Sequence, residues 1–196
     1  MSKSEIYFSL DIEANGRIPG PNSMWSFATV VFDPNRPEPM IGEYAAVLEE
    51  IEGSKGDEET LAWWAKQSPE TYQKARENAR PASEVMTEFV GWVEETAKDA
   101  NATPVCVAYP ATYDFMFLYW YMIRFAGRSP FGFQALDCKA LAMAALGGGF
   151  KDASKRNFPK SWFAKAGKHT HVATDDAREQ GHMFLGIMAD LAKLRK

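Results

Sequence analysis

The order of strand-like and helix-like segments is the feature that most constrains how this chain folds. β-prone, partly alternating segments lie at residues 6–12, 25–32, 40–49 and 105–108. Helical patterns lie at residues 57–66, 68–79, 112–125, 137–146 and 171–194, and a further helix with Ser83 as its candidate N-cap begins near residue 83. Three strands, then helices, then a fourth strand among further helices predict an α/β fold with a mixed β-sheet flanked by α-helices.

Composition sets broad limits on the class of protein. The chain has 196 residues, 46% of them apolar, which predicts a single globular domain over residues 1–196. Its most apolar run, residues 115–123, is too short for the roughly 20 residues that span a bilayer, so we expect no membrane partner. Cys106 and Cys138 lack metal-binding or redox spacing, which indicates reduced thiols in a cytoplasmic protein.

Charge is distributed unevenly along the chain, whose formal net charge is −4. Residues 38–59 contain eight acidic side chains and one Lys, whereas residues 151–168 contain six basic side chains and one Asp. The basic segment has two interpretations: it guides a nucleic-acid backbone, or it is a solvated, mobile loop. Lys155, Arg156 and Lys160 are its candidate phosphate contacts.

The first candidate site lies where the first predicted strand ends, at Asp11-Ile12-Glu13. Residues two apart in a strand face the same side, so both carboxylates project together from an otherwise apolar strand. Such a pair repels unless a positive charge lies between its members, and a divalent cation is the usual remedy. A solvated strand end is the alternative interpretation of this pair.

Two more candidate sites lie at the starts of predicted helices. Asp114 lies at the start of the most apolar helical segment, where burial without compensation would be costly. His171 and Asp176 lie five residues apart at the start of the last helix, and Asp175 cannot face the same way as its neighbour. The alternative for each is an acid that only complements the positive N-terminus of a helix.

Together these motifs resemble the DEDDh family of 3′–5′ exonucleases, which have a ribonuclease-H-like fold. The matching elements are Phe8-Ser9-Leu10-Asp11-Ile12-Glu13, Asp114 after the fourth strand, and His171-x4-Asp176 followed by Ala177. Two more segments are similar to a bacterial and phage subgroup related to mycobacterial exoribonuclease AS: Trp63-Trp64-x-x-Gln67 and residues 133–137. The chain departs from many relatives at Ala14-Asn15-Gly16, where these have Thr-Thr-Gly.

The resemblance implies a metal-dependent 3′–5′ exonuclease that acts on nucleic acid with a free single-stranded 3′ end, RNA rather than DNA. It implies two Mg²⁺ or Mn²⁺ ions, both bridged by Asp11, with Glu13 and Asp176 completing one metal shell and Asp114 holding the other ion. His171 is then the general base. The same chemistry on single-stranded DNA, an idle nucleic-acid-binding module and an unrelated metal-binding interaction domain are the alternatives.

Four residues are candidates for binding the substrate. Trp63 and Trp64 point about 100° apart on a helix, so one is expected in the core while the other can stack on a terminal base. Gln67, one turn away, is a possible hydrogen-bonding partner. Met24 is a candidate for the wall of the site, with a core strand position as its alternative. Because dimers are common among such relatives, the resemblance also makes a homodimer plausible.

Overall fold

A computed structural model of the chain describes residues 3–164 and 171–194. The strands are β1 (Ser4–Ala14), β2 (Met24–Phe32), β3 (Met40–Val47), β4 (Ala102–Ala108) and β5 (Leu136–Asp137). The helices are α1 (Glu58–Trp64), α2 (Pro69–Lys74), α3 (Ala82–Asp99), α4 (Ala111–Tyr121), α5 (Cys138–Leu146) and α6 (Ala173–Lys193). No helix among these residues is long and apolar enough to cross a bilayer.

The five strands form one mixed sheet in the order β3-β2-β1-β4-β5. β1 is the central strand and pairs antiparallel with β2 and parallel with β4. Its pairing with β4 ends at Ser9 opposite Val107, whereas its pairing with β2 continues past Asp11 opposite Ala28. The end of β1 therefore extends beyond β4, and the predicted mixed sheet is confirmed.

Alternation along β1 sends its side chains into two different layers. Ile6, Phe8 and Leu10 are buried in the core cluster that contains the apolar residues of α3 and α4. Tyr7 faces the other way and belongs to the cluster of α5 and α6, where its ring lies 4.7 Å from that of Phe184. Asp11 and Glu13 follow the parity of Tyr7, so they lie on the α6 side of the sheet.

Most predicted elements form, but several boundaries differ. α3 begins at Ala82 after Pro81, so the predicted N-cap Ser83 is wrong: the backbone of Arg80 bonds to β3, and the helix starts as soon as the chain leaves that pairing. α2 ends at Lys74 rather than near residue 79, and Asn78 is left-handed with φ 58°.

The segments around α4 and α6 also differ in detail. α4 gives way to a π-helical turn, Met122–Ala126, which ends at left-handed Gly127, so the apolar segment is not one regular helix. The two-residue strand β5 was not predicted, although Asp137 caps α5 as expected and accepts a hydrogen bond from the Ala140 amide at 2.7 Å. α6 begins at Ala173 instead of His171.

The basic segment packs against the core at several positions between residues 151 and 164. It forms two 3₁₀ turns, Lys155–Asn157 and Lys160–Phe163. Phe158 and Trp162 are buried beside α6, and the indole nitrogen of Trp162 donates to Asp190 at 2.7 Å. The burial of Phe158 and Trp162 argues against a fully solvated loop over these residues, and residues 165–168 lie outside the described part of the chain.

Candidate active site

Asp11 lies at the centre of the site, on the last third of β1. Asp11 is half-buried. That burial raises its pKa well above the ordinary value, and the charges of Asp114, Glu13 and Asp176 raise it further. All four predicted acidic residues therefore lie close enough to act on one another. We call Asp11, Glu13, Asp114 and Asp176 the carboxylate floor.

Asp114 reaches the floor from the first turn of α4, because the chain turns directly from β4 into this helix. The residue is only 5% exposed. Burial raises its pKa to about 7, although hydrogen bonds from the backbone of Ile12 and from its own backbone oppose that rise. The Ile12 contact places Asp114 against the peptide unit between the two carboxylates of β1.

Asp176 reaches the floor from the first turn of α6 and is 2% exposed. Its carboxylate accepts a hydrogen bond from the backbone amide of His171 at 3.0 Å. His171 has a left-handed backbone with φ 55°, which is uncommon for a residue other than Gly, and strained conformations of this kind cluster at active sites. Asp176 therefore fixes the conformation of the segment that presents the imidazole.

Possible metal-ligating atoms of Glu13, His171 and Asp176 lie within 4.8 Å of one another. Four mutually repelling carboxyl groups, two of them almost fully buried, form a site that a divalent cation would stabilise. Carboxylate oxygens are hard ligands and favour Mg²⁺ or Mn²⁺. The donor set therefore fits the predicted metal ions.

Gln180 supports the floor and was missed in the sequence analysis. It is 2% exposed, and its side-chain nitrogen donates to Leu10 O at 2.8 Å and to Ser9 Oγ at 3.1 Å. Because Gln180 lies one helical turn after Asp176, these bonds tie that turn of α6 to β1 just before Asp11. A polar side chain within the apolar stripe of the last helix was the available signal.

One of the predicted substrate-binding residues, Trp63, lies beside His171 at the edge of the floor. Trp63 is 40% exposed, and its ring lies 5.2 Å from the imidazole of His171 at nearly a right angle. Trp64 is 2% exposed, packs on Trp25, and donates from its indole nitrogen to Ala14 O at 3.0 Å. Gln67 bonds to Trp63 O at 3.4 Å. We call Trp63, Trp64 and Gln67 the aromatic rim.

Burial removes two of the predicted substrate contacts. Trp64 packs in the core, as expected for one member of the Trp pair. Met24 is fully buried, and its backbone amide donates to the Tyr121 hydroxyl at 2.8 Å. Neither side chain is accessible to a substrate, so the core alternative replaces the predicted contact at Met24 and at Trp64.

The loop after β1 is held by its own polar side chains. Asn15 is 1% exposed and accepts from the Ser23 amide at 2.7 Å. A Cβ at Gly16 would lie 2.2 Å from the side chain of Asn22, so only Gly fits there, and Gly16 O accepts from the Tyr113 hydroxyl at 2.8 Å. Asn15 therefore has a structural role in this loop.

Comparison with known proteins decides the family. A family model described as the 3′-5′ exoribonuclease Rv2179c-like domain matches residues 7–188, a range that includes the whole carboxylate floor and His171. The chain belongs to this family. Its predicted relationship to 3′–5′ exonucleases is thereby confirmed.

Individual relatives agree with this assignment. The chain is 29% identical to the 3′-5′ DNA exonuclease Cap18 of Escherichia coli over 185 residues, which cover 92% of this chain and 90% of the relative. The nuclease domain of 3′hExo, a DEDDh family member bound to rAMP, superposes with a TM-score of 0.67 at 9% identity and covers 95% of this chain and 92% of that one.

A second similar structure is a zinc-bound complex of Escherichia coli ExoI with single-stranded DNA. It superposes with a TM-score of 0.55 at 16% identity and covers 100% of this chain and 41% of that one. At such identities the structural likeness concerns the fold, and it confirms the predicted ribonuclease-H-like architecture.

Proposed function

We propose that this protein is a 3′–5′ exonuclease that hydrolyses the last phosphodiester of single-stranded nucleic acid, preferably RNA, and releases nucleoside 5′-monophosphates. The observation that carries the proposal is the convergence of Glu13, His171 and Asp176 within 4.8 Å, beside half-buried Asp11 and buried Asp114. These residues come from β1, α4, α6 and the segment before α6, so only the folded chain assembles them.

Each residue has a distinct role in the proposed reaction. The carboxylates of the floor would hold two Mg²⁺ or Mn²⁺ ions, which would supply water activation and stabilisation of the leaving 3′ oxygen. The imidazole of His171 accepts the proton of the attacking water. Asp176 holds the backbone of His171 at 3.0 Å, which keeps the imidazole over Glu13 and Asp176.

Two observations favour different substrates within this chemistry. The matching family model is described as exoribonucleolytic, which favours RNA. The relative Cap18 is a DNA exonuclease at 29% identity over nearly its whole length, which supports single-stranded DNA as the second candidate. The carboxylate floor does not distinguish them, because a 2′-hydroxyl is recognised by residues around the sugar.

The test is side-by-side digestion of 3′-labelled RNA and DNA single strands of one sequence. We expect mononucleotide release that requires Mg²⁺ or Mn²⁺, stops with EDTA, and is faster on RNA. Faster release from DNA would replace RNA with the second candidate. Metal-dependent binding without release from either strand would favour the idle nucleic-acid-binding module. A homodimer and a cytoplasmic location stay predictions, and the former is tested by light scattering after size-exclusion chromatography.

A further inference from the structure

Lys155 occupies a position that distinguishes it from the other basic residues of its segment. Its ammonium nitrogen lies 2.7 Å from a carboxylate oxygen of Glu179, and the two side chains are 31% and 11% exposed. Arg156 and Lys160, the other candidates of the segment, are exposed. An ion pair that is largely withdrawn from solvent fixes its geometry more firmly than one on the surface.

The elements around Lys155 are those that carry the carboxylate floor. Glu179 lies three residues after Asp176 on α6, so the two point to neighbouring positions of one helix face. The Lys155 ammonium also lies 5.8 Å from the ring centre of Tyr109, in the connection between β4 and the helix that carries Asp114. The hydroxyl of Tyr109 donates in turn to Ala153 O at 3.1 Å.

The segment of Lys155 covers the side of the sheet that carries the floor. Ala153 and Phe158, which flank Lys155 in the chain, are buried in one cluster with Tyr7 and the apolar residues of α6, and Asp11 and Glu13 lie on this same side of the sheet. Glu179 holds one side of an ammonium that has three donor hydrogens, so further acceptors can bind to the same group. A phosphodiester placed over the floor would bring negatively charged oxygens to this position.

We propose that Lys155, held by Glu179, contacts a non-bridging oxygen of the phosphodiester at the active site. The inference rests on the proposed exonuclease function and adds a protein cation to a site otherwise described by its acids and His171. The competing role is purely structural: the pair would only fasten the turn Lys155–Asn157 to α6.

The deciding measurement is the salt dependence of kcat/KM on a 3′-labelled single strand at saturating Mg²⁺. Each phosphate contact on single-stranded nucleic acid contributes about −0.7 to the slope of log affinity against log salt. We expect Lys155→Met to lower kcat/KM by about 10- to 100-fold, the usual value of a hydrogen bond to a charged group. Its slope should be shallower than the parent's by about 0.7.

Matched variants separate contact from fastening. Arg156→Met and Lys160→Met remove exposed charges of the same segment and should change kcat/KM less than threefold, while Lys155→Arg should recover part of the rate and the parent slope. A Lys155→Met slope equal to the parent's, or an equal loss in Arg156→Met, would overturn the proposal.

Two additions keep the test decisive. If Lys155→Met does not fold, Glu179→Gln is measured instead. This variant keeps the Lys155 cation but removes the carboxylate that holds it, so kcat/KM should fall while the salt slope stays equal to the parent's. An unchanged kcat/KM contradicts the proposal. If the parent releases no mononucleotide, the proposed function fails by itself. The salt slopes of parent and Lys155→Met are then compared for binding of the same strand in Mg²⁺, where equal slopes reject the Lys155 contact.

Discussion

The carboxylate floor and the aromatic rim are neighbours built in opposite ways. In the floor, Asp114 and Asp176 are 5% and 2% exposed, and backbone amides and Gln180 fix their surroundings. In the rim, Trp63 is 40% exposed and belongs to α1, a helix of seven residues. Proton transfer and metal binding require fixed distances, whereas holding a terminal base requires only an accessible aromatic surface.

Because of this difference, we expect substitutions in the two regions to have different effects. Removing a floor carboxylate removes charge repulsion as well as a ligand, so the fold survives while the chemistry stops. In the rim, Trp64 contributes to stability and Trp63 to the surface beside His171. If burial sets the boundary between the two regions, substitutions on either side of it should fail in different ways.

The largest effect is expected in the floor. Asp11→Asn or Asp176→Asn should abolish mononucleotide release at saturating Mg²⁺, because each removes a predicted metal ligand and a charge that the site requires. Melting temperatures should equal or exceed that of the metal-free parent, since a buried repulsion is relieved. Asp99→Asn, an exposed acid at the end of α3, is the control. Activity within tenfold of the parent would rule out the ligand assignment.

The next effect concerns the imidazole between floor and rim. His171→Ala should lower kcat by about 10²–10⁴, the usual range for a positioned general base. Metal affinity, measured by calorimetry, should persist, because the carboxylates remain. His169, two residues earlier in the chain and outside the described residues, is the control. His169→Ala should change kcat much less. Reversed effects would mean that the motif is misplaced by two residues.

A smaller effect separates the two Trp residues of the rim. Trp63→Ala should weaken single-strand affinity by roughly 5- to 150-fold, the value of one base–aromatic stack, with little change in melting temperature. Trp64→Ala should instead destabilise the fold by about 3–5 kcal/mol, as expected for a buried aromatic residue.

The kinetic pattern of Trp63 tests its role further. A stacking surface raises KM and leaves kcat unchanged, whereas a residue that only positions His171 at 5.2 Å lowers kcat. Trp63→Phe keeps an aromatic face and should retain most of the affinity. A stable Trp63→Ala variant with unchanged affinity and reduced kcat would remove the rim from substrate binding.

Much of this arrangement follows from local sequence patterns. The acids on one face of β1 and those at the start of α6 can be predicted from the sequence, because strand and helix periodicity determine which side chains share a face even when the fold is unknown. Family resemblance supplied the third acid, Asp114, which alone is indistinguishable from an ordinary acid near a helix N-terminus. The sequence predicts that one Trp of the pair is buried, but it does not indicate whether this is Trp63 or Trp64.

Contacts between distant segments could not be predicted from the sequence. The burial of Trp64 depends on Trp25 of β2, and the role of Gln180 depends on the backbone of β1. Lys155 pairs with Glu179, which lies 24 positions away, and the composition of the segment around Lys155 resembles that of a solvated loop. Each of these contacts exists only after the sheet has packed against the surrounding helices.

The smallest predicted effect is a pH dependence of stability in the metal-free protein. Burial raises the pKa of Asp114 to about 7, above its ordinary value of 3.8, so the folded state binds this proton more tightly than the unfolded state. The stability it contributes is fully present below about pH 4 and is lost as pH rises through about 7. In EDTA, the parent should therefore lose a few degrees of melting temperature over this interval.

Asp114→Asn isolates this contribution, because Asn has a similar shape and does not titrate in the interval. The melting temperature of the variant should fall less than the parent's between pH 4 and 7, while that of Asp99→Asn should follow the parent. At pH 7, Mg²⁺ should raise the melting temperature of the parent more than that of Asp114→Asn, because the cation relieves a repulsion that the variant lacks. Parallel pH curves for parent and Asp114→Asn would show that the floor is not under the electrostatic strain that distinguishes it from the rim.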